Sequence, residues 1–238
     1  RKNMSRACGR IIGKMTKGRI VDTILFDMDG TLLDTLDDLH ASVNYALGRA
    51  ELPLVTFDET REAAGYGSIV LIELLTKHAF ATGSPEFQRV FDDFNAHYKE
   101  HCNDRTQPYP GVLELLAGLG ERGLKMAIVS NKVQPETEAL RELWFSDFIP
   151  VAVGRVEGIA PKPDPAMALA ALERLGSRPG DAWFVGDSQP DVRTGKNAGC
   201  TSVGCTWGFR DFATLEEERP DFIIDDPLEL LDIVDAHR

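Results

Sequence analysis

The stretch ILFDMDGTL at residues 24–32 places two acids, Asp27 and Asp29, directly after a short apolar segment. Side chains alternate along an extended chain, so both carboxylates would point the same way and raise each other's pKa unless a cation lies between them. Mg²⁺, a hard ion that prefers oxygen ligands, meets that need. The other interpretation is that both acids are turn and helix-capping residues before Gly30 and Thr31, a common role for aspartate.

Short apolar segments recur along the chain between helical patterns. They lie at residues 20–26, 124–129, 149–153, 182–185, 201–204 and 222–224. Apolar residues three and four positions apart indicate helices between them, as at Val112, Leu115 and Leu119. This alternation predicts an α/β fold, in which a parallel sheet carries helices on both faces.

The interval between the first two apolar segments is different, because it carries helical patterns and no strand pattern. Its apolar stripes begin at Leu36, run over residues 69–79, and end with a third stripe from Phe87 to Tyr98. We therefore expect an all-helical second domain at 36–105, inserted into a core domain made of 20–35 and 106–238. The two connections should lie close together in space and act as a hinge.

Polar residues follow the later strands as well. Ser130 follows the second apolar segment, Lys162 follows the third, and Asp187 and Asp191 follow the fourth. The carboxyl ends of strands in an open parallel sheet meet at one crevice. We therefore expect four carboxylates, one hydroxyl and one or two ammonium groups in a single site.

Four motifs in this order resemble the haloacid dehalogenase superfamily of phosphotransferases. They are DMDGTL at 27–32, Ser130, Lys162 and GDSQPD at 186–191. The helical insertion, with PYPG at 108–111 and TWGF at 206–209, is similar to the phosphoglycolate phosphatase-like branch of that superfamily. The resemblance covers residues from about 20 to 226 and implies a Rossmann-like core with a helical cap.

The resemblance implies a role for each acid. Asp27 would attack phosphorus and become a transient aspartyl phosphate, and Asp29 would protonate the leaving oxygen and then activate water. Mg²⁺ would be held by Asp27, the backbone carbonyl of Asp29 and Asp187. Asp191 would either bind the ion or orient the residues that do.

The resemblance also implies which residues contact the substrate. Ser130 and Lys162 would hold the transferring phosphoryl oxygens. Further contacts with phosphate or substrate are expected from Gly30, Thr31, Asn131, Gly65 and Gly67. The loop at 65–68 resembles a substrate-specificity loop, although an ordinary turn between helices explains it equally well. Lys132 is either a further phosphate ligand or a solvated surface lysine.

These features predict a Mg²⁺-dependent phosphatase for a small phosphorylated metabolite, and the resemblance favours 2-phosphoglycolate. A phosphosugar mutase of the same superfamily would share the site. A noncatalytic binding protein that retained the fold is a third hypothesis. Dehalogenases of the superfamily lack an acid two residues after the nucleophile, so Asp29 argues against dehalogenation.

The distribution of charge along the chain argues against one class of partner. With 26 basic and 38 acidic residues, the net charge is −12. The first 19 residues hold seven basic residues and no acid, so residues 20–238 carry 19 basic residues against the same 38 acids, a net charge of −19. So acidic a body repels a phosphate backbone and argues against nucleic acid as a partner. The basic leader at 1–19 is expected to be flexible and solvated.

Two further features bear on location. No run of 18 uncharged apolar residues occurs, so we expect neither a membrane span nor a membrane partner. The four cysteines are too few for a disulfide scaffold and form no CxxC pair. Reduced thiols in the cytoplasm are the simplest interpretation.

Overall fold

The computed structural model describes residues 10–11 and 21–237 of the 238-residue chain. Its strands are β1 Arg10–Ile11, β2 Thr23–Phe26, β3 Leu33–Asp34, β4 Gln107–Pro108, β5 Lys125–Val133, β6 Val151–Arg155, β7 Ala182–Gly186, β8 Thr201–Cys205 and β9 Phe222–Ile224. Its helices are α1 Leu36–Arg49, α2 Phe57–Ala63, α3 Ser68–Leu75, α4 Pro85–His101, α5 Val112–Glu121, α6 Gln134–Phe145, α7 Ala166–Leu175, α8 Gln189–Ala198, α9 Phe212–Glu217 and α10 Glu229–Asp235. None of these helices combines the length and apolar character needed to cross a membrane. The leader predicted at 1–19 lies outside the described residues, except for the two residues of β1.

Within the described residues, the main sheet contains seven strands in the order β1-β9-β8-β7-β2-β5-β6. Every neighbouring pair is parallel except β1 and β9. Each of the six apolar segments overlaps one of the parallel strands, so the predicted α/β fold is confirmed. Because β2 lies between β7 and β5, the residues that follow it emerge near the middle of the sheet.

Both faces of the central strand are buried. Ile24 and Phe26 belong to an apolar cluster that includes Leu116 of α5, whereas Leu25 belongs to a second cluster with Met167 of α7. A strand covered on both faces must be apolar at every position. Burial of both faces explains why the residues directly before Asp27 form a continuous apolar run.

Helices α1 to α4, which we call the helical segment, pack around an apolar cluster of their own. Val43, Ile72 and Phe94 are among its most buried members. The sequence patterns indicated three helices, and the structure adds α2. With seven residues, α2 is too short to show a helical period, but Thr56 and Glu59 form a capping box at its start.

The second predicted helix of this segment ends earlier than its pattern suggested. The stripe over 69–79 predicted a helix to Ala79, and this end was wrong because α3 stops at Leu75. Lys77 and His78 adopt positive φ values of 52° and 58°. Left-handed backbone cannot continue a right-handed helix, so the chain turns there.

The two connections to the helical segment lie side by side, which confirms the expected closeness of its ends. β3 and β4 form an antiparallel pair in which Leu33 faces Pro108 and Asp34 faces Gln107. Buried Asp38, in the first turn of α1, accepts hydrogen bonds from the Arg105 and Thr106 backbone N–H groups. Its carboxylate therefore ties the start of the helical segment to its end.

Candidate active site

Three carboxylates from two adjacent strand ends meet beside the middle of the sheet. Asp27 follows β2, Asp187 follows β7, and Asp191 lies in the first turn of α8. One oxygen from each lies within 4.8 Å of the others, and all three residues are buried. We call Asp27, Asp187 and Asp191 the acid cluster. The predicted convergence of strand-end acids is thus observed for these three.

The turn after β2 is shaped around Asp187. The Thr31 hydroxyl donates to Asp187 Oδ1 at 2.8 Å, and the Phe209 N–H donates to Asp187 Oδ2 at 2.8 Å. Gly30 has a φ of +85°, and a Cβ at this position would lie 2.4 Å from Asp187 Oδ2. Glycine is required here both for its left-handed backbone and for the close approach of the carboxylate.

Asp191 is held by the start of its own helix. Its Oδ2 accepts hydrogen bonds from the N–H and the hydroxyl of Ser188, which precedes α8. Gly186 leaves room for it, since a Cβ there would lie 2.2 Å from the Asp191 Cβ. A capping interaction therefore aims the other carboxylate oxygen of Asp191 at the cluster.

Lys162 joins two members of the acid cluster. Its Nζ lies 2.8 Å from Asp27 Oδ1 and 2.6 Å from Asp191 Oδ1, and its side chain has no exposed surface. Asn131 positions the loop that carries it, because Asn131 Oδ1 accepts the Lys162 N–H at 2.8 Å. The Met28 N–H donates to Asp27 Oδ1 at 2.7 Å and further orients that carboxylate.

Burial and mutual repulsion perturb the acids. Burial, then the charge of Asp191, raises the pKa of Asp27 well above its usual value. The same two causes raise the pKa of Asp187 to about 7. Burial opposes the charge of Lys162, but Asp191 and Asp27 outweigh it and raise its pKa. One ammonium compensates only one of three carboxylates, so this set of hard oxygen donors fits a divalent cation.

Asp29 does not join the acid cluster through its side chain. Its Oδ2 lies 3.3 Å from Lys132 Nζ, and its buried Oδ1 has no hydrogen-bond partner among the described residues. The expected contribution of Asp29 to a metal site therefore stays a prediction for its backbone carbonyl alone. Asp29 instead borders the adjoining cleft.

Lys132 is buried beside Asp29, so the alternative of a solvated surface lysine is wrong. Its side chain is 4% exposed, and its Nζ donates to the Tyr98 hydroxyl at 2.7 Å. Burial disfavours its charge, but Asp29 and Tyr98 outweigh burial and raise the pKa of Lys132. The ammonium therefore stays charged inside the cleft.

The cleft lies between the strand ends and the helical segment. Its empty volume, including space open to solvent, is about 570 Å³. Its polar lining comes from Asp27, Asp29, Ser68, Asn95, Tyr98, Ser130, Asn131, Lys132 and Glu136. Gly65 and Gly67 also border it, and the Gly65 carbonyl accepts from Asn131 Nδ2 at 3.2 Å. The loop at 65–68 is thus a turn between helices that also faces the site.

The segment after β8 contains contacts that the sequence analysis missed. Arg210 donates to the carbonyls of Arg61, Glu62 and Ala64 at 2.7, 2.9 and 2.7 Å. Phe209 packs into the apolar cluster of the helical segment. No sequence pattern marks Arg210, because its partners are backbone carbonyls about 150 residues away.

Trp207 connects the loop after β8 to the turn after β2 and to the sheet. Its indole Nε1 donates to the Thr31 carbonyl at 2.9 Å, and its ring packs against the core cluster on the sheet. A Cβ on neighbouring Gly208 would lie 2.1 Å from the Gly30 carbonyl oxygen. This loop therefore closes directly over the turn that carries the first two acids.

Comparison with known proteins places these features in a family. The haloacid dehalogenase-like hydrolase family profile matches residues 24–205. A phosphoglycolate phosphatase of Haemophilus influenzae is 36% identical over 219 residues, covering 88% of this chain and 96% of its own. An N-acetylmuramic acid 6-phosphate phosphatase of Pseudomonas aeruginosa is 32% identical over 218 residues, covering 89% and 94%. A crystal structure described as a predicted phosphoglycolate phosphatase from Haemophilus somnus superimposes with a TM-score of 0.81 at 30% identity, covering 90% and 97%.

Proposed function

The chain belongs to the haloacid dehalogenase-like hydrolase family, and from that membership we propose that it is a Mg²⁺-dependent phosphatase of a small phosphorylated metabolite. The observation that carries the proposal is the meeting of Asp27, Lys162 and the other cluster acids beside a single cleft. The curated relatives of 36% and 32% identity are both named as phosphatases, one for phosphoglycolate and one for a sugar phosphate. Our first candidate substrate is 2-phosphoglycolate.

Asp27 is the proposed nucleophile. Its Oδ1 accepts hydrogen bonds from the Met28 N–H and from Lys162 Nζ, which hold the carboxyl group in one orientation at the cleft. A carboxylate held this way would attack phosphorus and form an aspartyl phosphate while the ester oxygen departs. Water would then release phosphate and restore Asp27.

Asp29 is the proposed general acid and base. Asp29 borders the same cleft as Asp27, and its buried Oδ1 has no hydrogen-bond partner in the described part of the chain. In the first step it would give a proton to the leaving oxygen, and in the second it would take one from the attacking water. Lys132, at 3.3 Å, keeps the carboxyl group on this side of the cleft.

The transferring phosphoryl group would be held from several sides. Lys162 and the buried Ser130 hydroxyl would donate to its oxygens, as preplaced donors that need no rearrangement during the reaction. A Mg²⁺ ion bound by Asp27, Asp187 and the Asp29 carbonyl would supply positive charge against the phosphoryl oxygens. Asp191 orients Lys162 at 2.6 Å. Phosphate monoesters need on the order of 20 kcal/mol of barrier reduction, which only the combined groups can supply.

We assign the helical segment, residues 36–105, the role of a cap over a core formed by 20–35 and 106–238. Its residues Leu39, Leu71 and Phe94 contribute apolar side chains to the lining of the cleft. Excluding water in this way strengthens every electrostatic contact with the phosphoryl group. The antiparallel pair of β3 and β4 is the proposed hinge.

The proposed enzyme would act on a small ligand in a particular cellular compartment. The substrate is a small anion, and the acidic body gives no support for nucleic acid as a partner. Cys102, Cys200 and Cys205 are free thiols. Free thiols are typical of proteins in a reducing compartment, so we place the enzyme in the cytoplasm.

Phosphate release from a phosphoester panel, with Mg²⁺ and with excess chelator, tests the proposal. We expect Mg²⁺-dependent release from small monoesters, and loss of more than about 1,000-fold in kcat for Asp27→Asn, because an amide is a poor nucleophile of nearly the same shape. Asp147→Asn changes an exposed acid in the same way and should keep full activity. Acid-quenched wild-type enzyme should carry phosphate on the peptide that contains Asp27.

Other results of these assays would distinguish a phosphatase from a mutase or a noncatalytic binding protein. Formation of an isomeric sugar phosphate without phosphate release would establish a mutase instead. Absence of turnover on every ester would favour a noncatalytic binding protein. Normal turnover by Asp27→Asn would contradict the aspartyl-phosphate route.

A further inference from the structure

Two buried lysines border the candidate site, and they differ in their partners. Lys162 has two carboxylates within 2.8 Å. Lys132 has one carboxylate, Asp29, at the longer distance of 3.3 Å, and the neutral hydroxyl of Tyr98 at 2.7 Å. Lys132 therefore has fewer carboxylate contacts than Lys162, and its one contact is longer.

Lys132 has bonding capacity left on the cleft side. An ammonium group has three N–H donors, and the described residues supply Lys132 with two polar partners. Glu136 also lines the cleft, but no ion pair joins it to Lys132 in the described part of the chain. An ammonium that is 4% exposed has little water to complete its bonding, so a ligand in the cleft would complete it.

The position of Lys132 identifies which part of a ligand it would meet. Asp29 is the proposed proton donor to the leaving oxygen, and Lys132 contacts Asp29, whereas Lys162 contacts Asp27, the proposed nucleophile. Lys132 thus borders the leaving group and Lys162 borders the phosphoryl group. A charge on the leaving group, close to the ester oxygen, would lie beside Lys132.

Resting on the function proposed above, we propose that Lys132 and Tyr98 bind a carboxylate on the leaving group, so that the enzyme selects phosphate esters of small hydroxy acids. A carboxylate brings one negative charge to the free N–H of an ammonium that already faces Asp29. A second phosphate group would bring two charges against Asp29 and Glu136 at this end of the cleft, which is less favourable. The apolar lining by Leu39, Leu71 and Phe94 favours a short carbon chain over a hydroxyl-rich sugar.

A pair of substrates with the same shape isolates the carboxylate. The two are 2-phosphoglycolate and its amide, which replaces the carboxylate by an uncharged group. We expect the wild type to have a kcat/KM for the acid that exceeds that for the amide by about 10- to 100-fold, as for one charged hydrogen-bonded pair. Lys132→Met should abolish most of this ratio, and Tyr98→Phe should reduce it by a few-fold.

The ratio separates binding of the carboxylate from other effects. Loss of the contact between Lys132 and Asp29 alone would slow both substrates equally and leave the ratio unchanged. Lys99→Met removes an exposed lysine on the same helix as Tyr98 and should leave both rates unchanged. An unchanged ratio in Lys132→Met, or equal rates for acid and amide in the wild type, would overturn the proposal while leaving the phosphatase function intact.

A binding measurement keeps the two proposals distinguishable if turnover is absent. Calorimetric titration of the Asp27→Asn protein with each ester and Mg²⁺ should show tighter binding of the acid, and adding Lys132→Met should remove the difference. Equal binding of acid and amide by Asp27→Asn would overturn the carboxylate site. A preference for the acid without turnover in the wild type would support the site and reject the phosphatase function.

Discussion

The buried Asp187 carboxylate is in an environment suited to binding a cation. Its carboxylate receives hydrogen bonds from Thr31 and Phe209, which favour the ionised form, yet burial and Asp191 raise its pKa to about 7. Burial, and after it the charge of Asp191, therefore outweigh these two donors. A divalent cation would offset both effects, which links metal binding to stability.

The raised pKa of Asp187 predicts a pH dependence for the metal-free protein. In the unfolded chain this carboxyl ionises near its ordinary pKa of 3.8, whereas in the folded protein it ionises near 7. Between these values the folded state holds a proton that the unfolded state has lost. The free energy of unfolding should therefore fall as pH rises from about 4 to about 7. Urea unfolding in chelator across this range measures it.

A variant and the metal provide the controls. Asp187→Asn removes the titrating group and should flatten this part of the pH profile. Mg²⁺ competes with protons for the same oxygens, so it should raise the free energy of unfolding more at pH 8 than at pH 5. An equal slope in wild type and Asp187→Asn would assign the pH dependence to other groups.

The turn after β2 shows how one element places two functional groups. It carries Asp27 and Asp29 on the residues that leave the strand, and its glycine allows Asp187 to approach from the neighbouring strand. The Gly30 N–H donates to the Leu33 carbonyl, which closes the turn ahead of β3. The conformation of the turn after β2 and the position of Asp187 therefore depend on each other.

Gly30→Ala should disturb both stability and the metal site. The new Cβ would face a left-handed backbone cost of about 1–2 kcal/mol and an overlap with Asp187 that must be relieved by movement. We expect a loss of about 3 kcal/mol or more in the free energy of unfolding, together with weaker Mg²⁺ binding. Urea unfolding and Mg²⁺ titration measure the two effects.

Gly123→Ala separates the cost of the left-handed backbone from the effect of the overlap with Asp187. Gly123 has a φ of +70° and nothing within 4 Å of an added Cβ, so it carries the backbone cost without the overlap. It should lose about 1 kcal/mol of stability and keep its Mg²⁺ affinity. Equal effects of the two substitutions would show that contact with Asp187 is unimportant.

Elements with a long or continuous apolar pattern were predictable, and short ones were not. The six parallel strands and helices such as α4 follow from burial periods that a single sequence displays. Helix α2 was missed because seven residues give too few repeats, and the end of α3 was wrong because two left-handed residues follow it. The first failure follows from the shortness of the element, and the second from a local turn that overrides an apolar pattern.

At the scale of the molecule, one loop joins the core to the helical segment. Arg210 donates to three carbonyls in the last turn of α2 and beyond, where a helix leaves carbonyls unpaired and its dipole favours a cation. The preceding residue, Phe209, is packed among the helices while its N–H bonds Asp187. The position of the helical segment is therefore coupled to the acid cluster.

Arg210→Met should loosen that connection. Charged hydrogen bonds contribute about 1.5–3 kcal/mol each, so loss of three partners should speed local opening of residues 61–68 by at least about tenfold. Because the loop at 65–68 borders the cleft, we also expect a higher KM. Hydrogen exchange of this loop and steady-state kinetics measure the two effects.

The matched control is Arg122→Met. Arg122 donates to both carboxylate oxygens of Asp235 and to the Gly118 carbonyl, and these partners lie outside the helical segment. It should leave both exchange of residues 61–68 and KM unchanged. Unaltered exchange in Arg210→Met would mean that apolar packing alone positions the helical segment.

The sequence alone determined the sheet, the inserted helices and the acids at the strand ends, because burial periods and strand-end motifs are local properties of the chain. Tertiary structure decided which acids meet: Asp187 and Asp191 join Asp27, while Asp29 turns to Lys132. It also decided that Lys132 is buried against Tyr98 and that Arg210 holds the helices. These contacts join residues distant in the chain, and such pairings arise only when separate elements pack together.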